Sequence, residues 1–207
     1  MAEKVEAEVR VYRLHLALED ISDRIWRRLL IPGDWTLSDL HSAIQVLMGW
    51  DDEHLHSFTV AKRVYEPASE DGPGPYAGEP DGDDSAVTVS EVLKRTGQKC
   101  LYTYDFGDNW EVDIKVEAVL PPDPAVTAPV CLDGRRSGPP EDCGGAWGYK
   151  SGLATLSNPD AEDYEEVREW YGDQFDPEAF DLEAVNKALA RFGGRRRSRR
   201  SKPRAGA

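Results

Sequence analysis

The run Tyr102-Thr103-Tyr104-Asp105-Phe106-Gly107-Asp108-Asn109-Trp110 decides the fold. Before the turn, Tyr102, Tyr104 and Phe106 alternate with Thr103 and Asp105. After it, Trp110, Val112, Ile114, Val116 and Ala118 alternate with Glu111, Asp113, Lys115 and Glu117. Successive side chains of a strand point to opposite faces, so each flank has one apolar and one polar face. Gly-Asp-Asn supplies the turn between them, and residues 102–120 read as a long β-hairpin. This pattern predicts a solvated face carrying Asp105, Glu111 and Asp113, with Asp108 in the turn.

Upstream, residues 9–18 alternate in the same way, and Ile25 to Ile31 form a second apolar run after a short polar turn. The two predict another hairpin. Thr36 then opens a helix, with Asp39 placed for a capping box and Leu37, Leu40, Ile44, Leu47 and Met48 on one face. Gly49 ends it. His54, His56, Phe58 and Val60 fall two apart and predict a third strand with all four on one face. The order strand–strand–helix–strand is β-grasp-like by analogy, which carries no function.

Residues 66–85 hold four Pro, four Gly and seven Asp or Glu, which predicts a mobile loop over 66–86 with no regular structure. Val87 to Leu93 predicts a short helix. Downstream of the hairpin, Cys131 to Gly145 is too rich in Gly and Pro for helix or strand. Helices follow over 149–156 and 161–171, and Asp176-Pro177 reads as an N-cap with Pro at the first helical position of a last helix carrying Leu182, Val185 and Leu189. The class is α+β, one domain over residues 1–192, followed by a basic tail over 193–207 expected to be disordered.

The net charge of −14 over 207 residues hides an asymmetry. Residues 191–207 hold eight Lys or Arg and no acid, whereas the first 190 carry 17 basic against 39 acidic residues, a net of −22. The body should repel nucleic acid, and weak nucleic-acid contact should come from the tail. No apolar run reaches the length of a membrane span, and the N-terminus is polar, so a cytoplasmic protein with no membrane contact is expected. Three cysteines, Cys100, Cys131 and Cys143, point to free thiols or a metal site in preference to disulfides.

Five ordered motifs resemble one known family: Ile25-Trp-Arg-Arg; Leu40-His through Ile44-Gln to Met48-Gly-Trp50; His54-Leu-His56 with Phe58; Tyr104-Asp-Phe-Gly-Asp with Trp110; and Pro139-Pro-Glu-Asp-Cys-Gly-Gly145. Over residues 9–189 the chain resembles the plasmid pRiA4b ORF-three-like family, also labelled as passenger proteins of an insertion element. The resemblance implies an α+β domain associated with plasmids or mobile elements and brings no activity with it. The passenger label hints at a resolvase, yet no serine- or tyrosine-recombinase constellation is present. Two departures stand out: Val112 where the family often has His, and Gly138 where it often has Cys. Both remove candidate metal ligands.

Asp105-Phe106-Gly107 spells a kinase metal motif, but no glycine-rich loop or His-Arg-Asp precedes it, so it is a hairpin end. His54 and His56, with Asp105, Glu141 and Cys143, form a candidate site for a divalent metal, Zn or Mg. The bland alternative is histidines held by carboxylates at the core edge. Cys143 could act as a nucleophile with His54 or His56 as base, but the acidic surroundings oppose a thiolate. Asp105, Asp108, Trp110, Glu141, Asp142 and Cys143 are expected to line an acidic groove. The leading expectation is therefore a non-enzymatic module binding a protein or small molecule there, and the alternative is a metal-dependent hydrolase or nuclease. The hairpin end, His54-x-His56 and the Glu141–Cys143 loop are expected to meet.

Overall fold

The computed structural model describes residues 8–21, 24–68 and 80–200, with side chains as far as 193. The chain order is β1 (Val11–Leu18), β2 (Trp26–Pro32), α1 (Leu37–Met48), β3 (His56–Val60), β4 (Arg63–Glu66), β5 (Gly82–Asp83), α2 (Val89–Val92), β6 (Lys99–Tyr104), β7 (Trp110–Leu120), β8 (Val130–Arg135), α3 (Gly145–Leu156), α4 (Tyr164–Tyr171) and α5 (Leu182–Arg200). All eight strands join one sheet in the order β5-β4-β3-β6-β7-β1-β2-β8. Every pairing is antiparallel except β4 with β5. The class is α+β with a helical C-terminal part. The opening follows the expected order, but β6 and β7 separate β3 from β1.

The two expected hairpins are present. Tyr12, Leu14, Leu16 and Leu18 of β1 are buried, as are Trp110, Val112, Ile114 and Val116 of β7, because both strands turn the same apolar face to one core. α1 packs onto it through Leu37, Leu40, Ile44, Leu47 and Met48. Each such side chain contributes about 1.5–3 kcal/mol on burial. The Thr36–Asp39 capping box and the left-handed Gly49 cap bound this helix as its sequence predicts.

Several expectations are corrected. Asp105 is not on a solvated face: β6 ends at Tyr104, Asp105 takes φ 54°, and its side chain turns inward to accept from the Gly107 amide at 2.9 Å. An aspartate tolerates this left-handed backbone because its carboxylate closes the turn. His54 precedes β3 and does not share its face with His56. The 66–86 segment is ordered at both ends: Glu66 closes β4, and Gly82–Asp83 pairs with Tyr65–Glu66. Residues 69–79 of that expected loop lie outside the described residues.

The Cys131 stretch forms β8 on the edge beside β2. Gly134 fits there because a Cβ would come within 2.6 Å of the Phe180 ring. Asp176-Pro177 starts a turn, and the last helix is capped instead by Asp181, which accepts from the Ala184 amide at 2.9 Å. The tail expected to be disordered from 193 continues in α5 to Arg200. The helix runs through Gly193 and Gly194, which disfavour it, into arginines, which are good helix formers. Residues 201–207 lie outside the described residues.

α5 packs on β8 and α1. From it, the Asn186 amide donates to the Cys131 carbonyl at 2.9 Å and accepts from the Cys131 N–H at 2.8 Å. Among the described residues no helix is long and apolar enough to cross a membrane.

Candidate functional site

The hairpin end, the segment before β3 and the loop before α3 converge. His54 Nδ1 lies 3.9 Å from Asp105 Oδ1, and its Nε2 lies 3.2 Å from Asp142 Oδ1. The second contact lacks hydrogen-bond alignment. One ligand atom from each of the three residues falls within 4.8 Å of the others, so His54, Asp105 and Asp142 could hold a cation. Asp142, like Asp105, hangs from a left-handed backbone position, with φ 54°.

The other expected ligands are elsewhere. Glu141 accepts from the Tyr104 hydroxyl at 2.5 Å and from the Asp51 amide at 3.2 Å, tying the loop to the sheet. Asp108 accepts from the Gly144 amide at 3.1 Å and so pins hairpin turn to loop. Gly145 completes that junction at φ 64°, where a Cβ would meet the Asp108 carbonyl oxygen at 2.3 Å. Trp110 lines no groove. It is buried against Tyr149 and Trp50, because the register of β7 turns it inward. Burial, with Asp108 nearby, pushes the Cys143 thiol up to about 12, which favours the protonated thiol over the thiolate.

His56 belongs to a separate buried network. Its ring stacks on His41 at 3.6 Å between centroids, and Nε2 lies 2.8 Å from Asp84 Oδ2. His41 Nδ1 meets the Tyr102 hydroxyl at 2.8 Å, and Nε2 meets Asp52 Oδ1 at 2.7 Å. Gln45 donates to the same hydroxyl at 3.0 Å. A carboxylate from beyond the Pro/Gly-rich segment therefore satisfies a core histidine. Burial and the adjacent His56 push His41 down to about 4 from its ordinary 6.5. The neutral form is favoured in the fold, so the unfolded chain binds more protons between these values. Stability from His41 is complete above about pH 6.5 and is lost as pH falls toward 4. Urea midpoints of wild type and His41→Gln should differ in slope over that window, the wild type losing on the order of 2–3 kcal/mol more. Parallel pH profiles would remove His41 as the cause.

Beyond Cys143 the surface opens into a cavity of about 430 Å³ between α3 and α4. Its walls include Trp147 and Trp170, 81% and 61% exposed, and the carboxylates of Asp142, Asp163 and Glu166. Of these only Asp142 is a site candidate on sequence grounds. Helical spacing would have found them: Trp147 and Ser151 are four apart, and Asp163, Glu166 and Trp170 share the face beside Val167.

The family described as Plasmid pRiA4b ORF-3-like protein matches residues 10–184. The chain belongs to this family. It is 35% identical over 182 residues to "Uncharacterized protein y4hQ" of Sinorhizobium fredii (strain NBRC 101917 / NGR234), covering 86% of this chain and 90% of the relative. A solved structure, "Protein of Unknown Function MM3350 from Methanosarcina mazei Go1", is similar with a TM-score of 0.73 and 36% identity. That similarity covers 86% of this chain and 98% of the other. The two departures from the family pattern now have positions. Val112 is fully buried in β7, and Gly138 lies against the carbonyl of Met48 at the end of α1.

Proposed function

We propose that the protein is a cytoplasmic, non-enzymatic binding module of mobile-element origin, whose acidic groove between α3 and α4 takes a protein or small-molecule partner. One observation carries this reading: two largely exposed indoles face one concave surface. Isolated exposed apolar residues are ordinary, but tryptophans gathered in a cleft with convergent polar groups are the usual make-up of a recognition site. Nucleic-acid contact is assigned to residues 193–207, because the net charge of −22 in the first 190 residues opposes it elsewhere.

A second reading rests on His54, Asp105 and Asp142, whose spacing suits a divalent cation. The imidazole favours zinc over magnesium, which prefers an all-oxygen shell. Such an ion would supply Lewis-acid chemistry of the hydrolase kind.

NMR separates the two readings. A fragment screen followed through the six tryptophan indole N–H resonances should shift Trp147 and Trp170 and leave buried Trp35, Trp50 and Trp110 in place. Fragments that bind elsewhere, or none that bind, would end the groove reading. Zinc added to the same sample should shift the His54 ring signals if the second reading holds. Unchanged signals at millimolar zinc remove it.

A further inference from the structure

We infer that the α3–α4 groove docks an arginine-rich peptide segment of a partner protein, one guanidinium stacking on Trp147 or Trp170 while Asp142, Asp163 and Glu166 supply the counter-charge. This rests on the groove reading above and specifies its ligand. Charge is the first argument. The groove wall holds three carboxylates and no lysine or arginine. The adjacent basic residue of α4, Arg168, is already engaged by Asp173 at 2.8 Å and Glu165 at 3.3 Å, so it does not neutralise the groove. The surrounding segment adds Glu162 and Glu169, which extends the negative field beyond the cavity and suits several positive charges in a row.

Chemistry selects arginine among cations. Tryptophan has the strongest cation-binding face of the aromatic side chains, and arginine presents a flat, weakly hydrated cation that stacks on it. The same guanidinium offers a two-pronged donor edge to a carboxylate while its face lies on an indole. The protein uses such a stack internally, where the Arg27 guanidinium sits 4.3 Å over the Phe180 ring. Lysine would satisfy the charge without the planar stacking. A cavity of about 430 Å³ accommodates one or two side chains, not a folded domain, which matches an extended segment.

The test is fluorescence anisotropy with the full chain and three labelled peptides of the sequence Gly-Xaa-Gly-Xaa-Gly-Xaa-Gly, where Xaa is arginine, lysine or citrulline. The arginine peptide should bind in the micromolar range, the lysine peptide several-fold more weakly, and the neutral citrulline peptide not detectably. Of Trp147→Ala and Trp170→Ala, the one that removes the stacking indole should weaken the arginine peptide about tenfold. Both side chains are largely exposed, so the variants should keep the wild-type melting temperature. Glu166→Gln should weaken binding and reduce its salt dependence. Equal affinity of wild type and both tryptophan variants would place binding on the acidic surface at large and overturn the inference. Equal arginine and lysine affinities would overturn the guanidinium assignment. Fragments that shift the Trp147 and Trp170 indoles while the arginine peptide does not bind would overturn the ligand class and leave the groove reading standing.

Discussion

Arg27→Ala is expected to lower the unfolding free energy by roughly 2–4 kcal/mol, seen as a drop of about 1 M in the urea midpoint. Arg27 is 1% exposed. Its Nε donates to the Leu47 carbonyl at the end of α1, and its Nη1 donates to the Arg135 carbonyl at the end of β8, each at 2.8 Å. The guanidinium also lies on Phe180, ahead of α5. One side chain therefore ties together α1, β2, β8 and the C-terminal segment. Its burial is itself unfavourable and pulls its pKa down to about 10, so removing the charge returns part of the loss. The carbonyls of Leu47, Arg135 and Trp26 all lose this donor, and at about 1–3 kcal/mol for each one left unpaired, together with the void left by the stem, they outweigh that return. Arg27→Lys keeps the charge but cannot serve all three carbonyls and should fall between the two. A loss below about 1 kcal/mol for the alanine variant would mean that water or a local shift replaces the fork.

The second large effect is expected at Gly138. The chain crosses the C-terminal turn of α1 there, and a Cβ would sit 1.8 Å from the Met48 carbonyl oxygen and 2.7 Å from its carbon. Backbone stands against backbone, so no side chain can swing aside. The crossing is fixed on its far side by the Trp50 indole, which donates to the Pro139 carbonyl at 3.1 Å. Gly138→Ala should cost about 3 kcal/mol or more, a fall of roughly 6–12 °C in melting temperature. Gly97→Ala is the control. At φ 84° with nothing within 4 Å, it carries only the backbone penalty of about 1–2 kcal/mol. If the two variants melt together, the close approach at Gly138 relaxes freely.

What the sequence made readable follows from local periodicity. β1, β2, β6, β7 and α1 repeat their apolar residues at the strand or helix period, and their caps and turns use residues with specific backbone chemistry. What stayed hidden depended on partners distant in the chain. β4 follows β3 through Ala61 and Lys62, both at positive φ, and neither is a residue that announces such a turn. β8 lacks alternation because an edge strand under a helix meets Arg27 and Phe180, not a uniform core. His56 has two readings in the sequence, metal ligand or core-edge histidine held by a carboxylate; the structure gives the second, and only the identity of the partner, Asp84, 28 residues away beyond a segment that reads as loop, is hidden. At the candidate site, the convergence of His54, Asp105 and the loop that carries Asp142 is readable from the sequence; the exact contacts are not. Asp142 joined His54 only through a left-handed turn that composition does not specify.

The arrangement of Asn186 over Cys131 has a consequence for association between copies. An open sheet ends in two strands whose outward amides and carbonyls can recruit a strand from another molecule, the first step of edge-to-edge aggregation. On one side the sheet tapers to β5, two residues long, which offers little backbone to copy. On the other side the carboxamide of Asn186 takes up both backbone groups of Cys131, as a neighbouring strand would, while α5 covers β8. Among the described residues the sheet thus offers a short edge at β5 and an edge capped at Cys131, which blunts strand recruitment without rolling the sheet into a barrel.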